Sequence, residues 1–437
     1  MVRESGAGCG PSPPLLNSGP VPADLSRVSE RISAPAIGPL ARPATGSRPR
    51  SGVMDRWDVV LTCAGVGLIA FYVATFAVRN APLQADFRTY VAAGRAALAG
   101  IDPYSAEHLS ALAHRETLPF VYPPVTLRAF APLAALPGGL ARALWMALNV
   151  AILAGLVASW RLWLGPGVRL LPLALAAVFG WNASALWGLR TGNVALIEAA
   201  LIWLALVCYA RGRRGAFAAL IVAAACFKLA PALFLLLLLV PRERERPHFA
   251  RALTAVAILG ALVLGPTLLG PAARWEFFLR HLPDAGALGS SNPGALGFFT
   301  VLAGTWGLPA APATAGLVLW GAFALALAAI SVPFVRGAIR DRDPRRVAMA
   351  ALFLYVLIEP RPMAYGFLLL TPAAFFFAPQ PFARRAGQLA LAILLSAQGL
   401  TQAANHYSPD LVYVYAPFLI ALCVWLLVVN RGPAPAR

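Results

Sequence analysis

The chain has 437 residues, of which 59% are hydrophobic and only 12% are charged, and its mean hydropathy is +0.70. Because a soluble domain carries about 25% charged residues, this composition excludes a soluble globular protein and indicates that most of the chain lies in lipid. The net charge of +18 also fits a nucleic-acid-binding protein, but the arginines form short clusters between apolar runs, which is typical of cytoplasmic loops and argues against a nucleic-acid partner.

The N-terminal segment, residues 1–53, is rich in Pro, Gly, Ser and Arg and has no apolar period. Such a segment cannot bury enough apolar surface to fold, so we predict a disordered basic tail. Met54 stands just before the first apolar run, and we hypothesise that translation naturally starts there. Residues 54–430 are then predicted to form one transmembrane domain, followed by a cytoplasmic tail at 431–437.

Membrane spans were placed so that the arginine clusters stay on the cytoplasmic side. A run over 216–240 is interrupted by Lys228 and Pro231, and because proline breaks helices we predict two short segments there, about 216–229 and 230–240. The other spans of the first half are expected at about 57–78, 140–163, 170–187 and 193–210, with a long external loop at 79–138.

The second half repeats this pattern of spans and one broken run. Short segments at about 347–359 and 363–379 flank the sequence Glu359-Pro360-Arg361-Pro362. Broken helices at membrane depth normally line a protein-enclosed cavity. Further spans are expected at about 250–270, 311–336, 386–403 and 411–430, with a second external loop at 271–310. The prediction is an all-α, polytopic bundle of about twelve membrane segments with both termini cytoplasmic.

The first external loop contains two stretches with helical spacing, 87–98 and 105–115, that are too polar to cross a membrane. We predict that they lie in the outer interface, with aromatic side chains at headgroup depth. Asp86 comes just before the first of these helices. It is placed either to cap the helix or to act as a base above the membrane, and local chemistry leaves both interpretations open.

Several motifs resemble the signature of glycosyltransferase family 87, in the right order over roughly residues 57–430. The chain departs from the family's Gly-Gln-x-Asn at Gly192-Asn193-Val194-Ala195 and from its Asn-Gln-Ser at Asn292-Pro293-Gly294, which bears on the identity of the substrate more than on the reaction. The matching motifs are Asp86-Phe87-x-x-Tyr90, Gly100-x-Asp102-Pro103-Tyr104, Tyr122-Pro123-Pro124, Gly192-Asn193, Lys228-x-x-Pro231, Ser291-Asn292 and Pro360-Arg361-x-x-x-Tyr365.

The resemblance implies a GT-C-like fold and an enzyme that uses a polyprenyl-phosphate sugar. In the family the aspartate of the first loop is the base, and it corresponds to Asp86; one base and a direct displacement would invert the anomeric centre. Lys228 and Arg361 are candidates to bind the leaving phosphate because each lies at a break where a charge is costly. Arg361 alternatively pairs with Glu359 or a backbone carbonyl. The other residues expected to bind substrate are Tyr90, Asp102, Tyr104, Tyr122, Asn193, Asn292 and Tyr365.

The leading hypothesis is therefore a glycosyltransferase of a bacterial inner membrane, with its active site on the outer face. It would move a hexose or pentose, with mannose expected first, to a lipid or cell-envelope glycan acceptor. No cysteine or histidine spacing indicates a metal site, and no cofactor is expected. Glu198, which lies within a span, is expected to pair with an arginine. The alternatives are a transporter or flippase of lipid-linked saccharides and a non-catalytic membrane subunit.

Overall fold

The computed structural model describes residues 56–240, 254–258, 260, 292–306, 312–360, 362–378, 382, 384–403 and 411–430. The predicted tail at 1–53, most of the span at 250–270, Arg361 and the tail at 431–437 lie outside these residues. Every regular element in the described part of the chain is helical, which confirms the all-α class.

Among the described residues, fourteen α-helices and three 3₁₀-helices have defined bounds. The α-helices are α1 Arg56–Asn80, α2 Ala85–Leu98, α3 Ala106–Ala113, α4 Val125–Ala134, α5 Gly138–Leu164, α6 Leu170–Thr191, α7 Ala195–Ala210, α8 Arg214–Phe227, α9 Ala295–Thr305, α10 Pro312–Arg340, α11 Pro344–Ile358, α12 Leu370–Phe377, α13 Arg385–Ala403 and α14 Leu411–Asn430. Three 3₁₀-helices cover Ala81–Leu83, Ala230–Leu239 and Ala364–Leu369.

Four of the described helices, α1, α5, α6 and α10, are long and apolar enough to cross a membrane. Their bounds lie within a few residues of predicted spans, because long apolar runs leave little freedom in where a helix begins and ends. The other apolar helices are shorter, so the predicted total of about twelve segments stays a prediction. The described part of the chain is all-helical and consistent with a membrane protein.

The first loop contains the two predicted helices, α2 and α3, and a third, α4, that was not predicted. Helices α2 and α4 pack closely: a Cβ at Gly94 would lie 3.2 Å from the Phe130 carbonyl oxygen and 3.0 Å from the Ala134 Cβ. The ring of Tyr90 stacks on that of Phe130, with centroids 4.5 Å apart. The loop is thus a packed aromatic layer rather than a set of separate surface helices.

Helix α6 is bent in its middle, which the prediction of a single span at 170–187 did not anticipate. Trp181, Asn182 and Ala183 have φ of 55°, 60° and 56°, in the left-handed region that non-glycine residues rarely adopt. Buried hydrogen bonds hold the bend: the Trp181 Nε1 donates to Thr371 Oγ1 at 3.1 Å, and the Ser184 hydroxyl donates to the Ala364 carbonyl at 2.6 Å. The bend joins the second half of α6 to residues 364–371.

Both predicted helix breaks are confirmed. Helix α8 ends at Phe227, and Lys228 is extended with φ −139° and ψ 138° before the 3₁₀-helix Ala230–Leu239. Helix α11 ends at Ile358, and the next helical element begins at Ala364. The two breaks are neighbours, since the rings of Phe234 and Tyr355 lie 4.7 Å apart.

Candidate active site

Asp86 is turned towards the membrane bundle by its position in the first turn of α2. The residue that precedes the helix is Gln84, and no side chain caps this end. The half-buried Asp86 carboxylate instead accepts a hydrogen bond from Asn193 Nδ2, with Oδ2 and Nδ2 2.7 Å apart. The capping interpretation of Asp86 is therefore wrong, because its side chain bonds across the fold rather than to its own helix.

Asn193 is held rigidly at the turn between α6 and α7. Gly192 ends α6 with φ 68°, and a Cβ there would lie 2.9 Å from that of Phe87, so only glycine fits. The Trp145 indole donates to the Gly192 carbonyl at 2.8 Å. The Asn193 Oδ1 accepts from the Ala195 amide at 3.0 Å, which fixes the side-chain NH₂ group towards Asp86.

Two tyrosine hydroxyls extend this network away from Asp86. The Tyr122 hydroxyl lies 3.2 Å from Asn193 Nδ2 and 2.7 Å from the Tyr90 hydroxyl. The Tyr104 hydroxyl donates to the Tyr122 carbonyl at 3.0 Å, and Asp102 accepts from the Tyr104 amide at 2.9 Å. Asn193 thus links the hydroxyls of Tyr122 and Tyr90 to Asp86, whereas Asp102 and Tyr104 shape the backbone that carries Tyr122.

The electrostatic setting of the network keeps the carboxylate basic. Burial raises the pKa of Asp86 above its ordinary value, while the hydrogen bond from Asn193 and the positive charge of Lys228 partly oppose the rise. Burial also raises the pKa of Tyr122 to about 12, so its phenol is neutral at physiological pH. Among the groups of this network, the Asp86 carboxylate is therefore the one that is chemically able to accept a proton.

Lys228 forms the second half of the site. Its Nζ lies 2.7 Å from Glu198 Oε2 and 5.2 Å from the centre of the Tyr365 ring. The Tyr355 hydroxyl donates to the other oxygen of Glu198 at 3.4 Å. The expectation that Glu198 pairs with an arginine is wrong: the break after α8 delivers the lysine into the bundle, where the buried carboxylate needs a counter-charge.

Two further residues of the site were missed by sequence reasoning. Tyr355 was not singled out, and Glu359 was considered only as a partner of Arg361. The Glu359 carboxylate adds to the negative field at Lys228. Its position beside Pro360, at a break in an apolar run, is the same signal that identified Lys228. Arg361 itself lies outside the described residues.

Asn292 lies at the second break rather than in the Asp86 network. It is 6% exposed and precedes α9. A Cβ at the neighbouring Gly294 would meet the ring of Pro362, so this backbone packs directly against the segment after Arg361. No feature of the sequence had predicted that Asn292–Gly294 packs against the segment after Arg361.

A metal site is not formed by the part of the chain that the structure describes, where no three His, Cys, Asp or Glu side chains cluster. The expected absence of a metal stays a prediction. What the described groups provide is a carboxylate held by an amide and, within electrostatic reach of it, a lysine held by a second carboxylate. Such an arrangement is able to accept a proton at one point and to bind an anion at another.

The comparisons with known proteins agree with the resemblance. Residues 120–360 match the model of glycosyltransferase family 87; this range holds Tyr122, Asn193, Glu198 and Lys228, and it begins after Asp86. The polyprenol-phosphate-mannose-dependent alpha-(1-2)-phosphatidylinositol mannoside mannosyltransferase of Mycobacterium tuberculosis is 26% identical over 377 residues, which cover 80% of this chain and 82% of the relative. No solved structure matches the chain. Because the family match covers more than half of its residues, the chain belongs to glycosyltransferase family 87.

Proposed function

We propose that this glycosyltransferase moves a sugar, mannose in the first instance, from a polyprenyl-phosphate donor to a hydroxyl group of a lipid or cell-envelope glycan. The observation that carries the proposal is the hydrogen bond of 2.7 Å by which Asn193 orients the Asp86 carboxylate, which also feels the positive charge of Lys228. The name of the mannosyltransferase relative from Mycobacterium tuberculosis supports mannose as the sugar and a phosphatidylinositol-type lipid as the acceptor.

Asp86 is proposed as the general base. The acceptor oxygen attacks the anomeric carbon, its proton passes to Asp86, and the bond from that carbon to the phosphate oxygen breaks, so that polyprenyl phosphate leaves with the electron pair. A carboxylate has lone pairs beyond the one that Asn193 occupies, so the hydrogen bond orients the base without blocking it. A single displacement of this kind inverts the anomeric centre.

Lys228 is proposed to bind the donor's phosphate. An ammonium has three N–H donors, and Glu198 takes one of them, at 2.7 Å. The side chain is 23% exposed while that of Glu198 is 8% exposed, so the lysine has access to a ligand and its partner has little. In a partly buried site of this kind, one fixed positive charge stabilises a leaving phosphate better than it would in bulk water.

The remaining predicted residues differ in how directly they could act. Tyr122, Asn193 and Tyr365, and Tyr90 behind Tyr122, are proposed to contact the sugar, since they belong to the hydrogen-bond network of Asp86 or lie against Lys228. Asp102 and Tyr104 are proposed to act through the position of Tyr122, and Asn292 through the second break. Arg361 is still proposed to bind the phosphate together with Lys228.

The location of the reaction is proposed to be the outer face of the inner membrane. The aspartate belongs to a loop that follows α1, and the basic clusters on other loops favour the cytoplasmic side for those. Cysteine labelling at position 86 of intact cells tests the side directly. Labelling only after the cytoplasm is opened would invert the topology.

The direct test uses the full chain reconstituted in lipid nanodiscs with radiolabelled polyprenyl-phosphate mannose and a phosphatidylinositol-type acceptor. Asp86→Asn keeps the shape of the side chain but removes the base, so we expect transfer to fall by about a hundred- to ten-thousand-fold. The matched control is Glu107→Gln, an exposed carboxylate on α3 of the same loop, which should transfer normally. Full activity of Asp86→Asn would rule out the base, and transport without transfer by the wild-type chain would favour a flippase.

A further inference from the structure

An arginine-lined cavity lies on α2, away from Asp86. It has a volume of about 490 Å³, is open on one side, and is lined by α2, the end of α3 and the start of α5. Four arginines line it: Arg88 and Arg95 of α2, Arg115 just after α3, and Arg142 of α5. No aspartate or glutamate is among the described residues that line the cavity, so its charge is strongly positive.

The cavity and Asp86 occupy opposite faces of α2. An α-helix turns by about 100° per residue, so Arg88 and Arg95 lie roughly 200° and 180° around the axis from Asp86. The body of the helix, about 10 Å across, therefore separates the two sites. A phosphate bound among these arginines is not in place to react at Asp86.

The second observation is a buried amide without a partner. Gln84, which lines the cavity, is 2% exposed, and both its Oε1 and its Nε2 are buried without a hydrogen-bond partner in the described part of the chain. The Nε of Arg88 is in the same situation. Buried polar groups are nearly always hydrogen-bonded, so an unpaired amide beside an unpaired guanidinium nitrogen indicates a ligand with several acceptor oxygens.

We propose that this cavity binds the phosphodiester headgroup of an anionic membrane phospholipid that is not a substrate. Guanidinium groups match the geometry of phosphate oxygens, and the Gln84 NH₂ group is a further donor to them. Pro82 and Gln84 follow directly on α1, one of the helices able to cross the membrane, which places the cavity at headgroup level. Phe87 and Ala141 supply the apolar wall that the start of the acyl chains requires.

A lipid there would steady the catalytic end of α2. Gln84 and Arg88 lie two residues before and after Asp86, so a ligand bound by both fixes the first turn of the helix from behind. The inference concerns binding and stands whether or not the proposed sugar transfer is correct.

The test compares lipid binding by the full chain and by two double variants that remove the same charge. Arg88→Gln with Arg115→Gln removes two arginines from the cavity; Arg79→Gln with Arg128→Gln removes two exposed arginines outside it. Each protein is placed in phosphatidylcholine nanodiscs that contain increasing amounts of phosphatidylglycerol and is then purified. The phosphatidylglycerol that stays bound is quantified by mass spectrometry, and its dependence on the amount supplied gives the affinity. We expect the affinity for phosphatidylglycerol to fall by about 30-fold in the first variant and little in the second.

Gln84→Met supplies an independent readout that unfolding would not mimic. Replacing an unpaired amide by an apolar side chain should raise the melting temperature in phosphatidylcholine while reducing the increase caused by phosphatidylglycerol. Equal lipid retention by the two double variants would overturn the proposal. Stabilisation of the wild-type chain by inorganic phosphate as large as that by lipid would also overturn it. So would a rise in the KM for donor or acceptor in the Arg88→Gln, Arg115→Gln variant while its lipid retention is unchanged.

Discussion

The two halves of the active site hold their charges in different ways. The Asp86 carboxylate is oriented by the neutral amide of Asn193, whereas the Lys228 ammonium is held by the opposite charge of Glu198. A neutral donor positions a carboxylate and leaves it basic; a counter-charge makes a buried cation tolerable until an anion arrives. The proposed base and the proposed phosphate site are thus each held by a partner suited to that role.

The largest effect should come from breaking the charged half. Glu198→Leu leaves Lys228 without its counter-charge, and we expect the free energy of unfolding in detergent to fall by about 3–5 kcal/mol. Adding Lys228→Met to this variant should recover a good part of the loss, because the uncompensated charge is then gone. Equal stability of Glu198→Leu and the double variant would mean that Lys228 costs no stability when it is unpaired. The ion pair, whose atoms lie 2.7 Å apart, would then not be needed to keep the lysine in the bundle.

The next effect separates two roles of Lys228. Lys228→Met should lower kcat/KM for the polyprenyl-phosphate donor by about 10- to 100-fold, since a charge-assisted hydrogen bond to the phosphate is lost. The control is Lys228→Met with Glu198→Gln, which removes both charges. Recovery of donor kinetics in this control would show that the lysine only neutralises Glu198.

A smaller effect concerns the neutral half. The Asn193 hydrogen bond lowers the pKa of Asp86 against the rise caused by burial, so Asn193→Ala should raise that pKa further. Since the base works only when ionised, the acidic limb of the profile of kcat/KM against pH should move to higher pH. Asn193→Ala with an unmoved acidic limb would mean that another group titrates there.

The smallest effect is expected at the edge of the network. Within the protein, Tyr90→Phe removes only the hydrogen bond of 2.7 Å to Tyr122, whose hydroxyl keeps its contact with Asn193. We expect a loss of about 0.5–1.5 kcal/mol in stability and less than about tenfold in kcat. A loss as large as that of Asp86→Asn would place Tyr90 in the chemistry itself.

Much of this arrangement was predictable from local patterns. Apolar runs set the bounds of α1 and α5, and Lys228 next to a proline-containing run identified the first break. The partner of Lys228 was not predictable, because Glu198 lies on another helix and only tertiary packing brings the two together. Helix α4 was missed since Pro132 interrupts its pattern, and the bend in α6 depends on the distant Ala364 and Thr371.

The bend at residues 180–183 divides α6 into two halves that are anchored to different parts of the fold. The half before Gly180 is bonded to α13, where the Ser396 hydroxyl donates to the Leu175 carbonyl at 3.3 Å. The half that ends at Thr191 and leads into Asn193 is anchored instead to residues 364–371. A displacement of the segment around Tyr365 would therefore be passed through the second half of α6 to the Asn193 amide that orients Asp86, without involving α13.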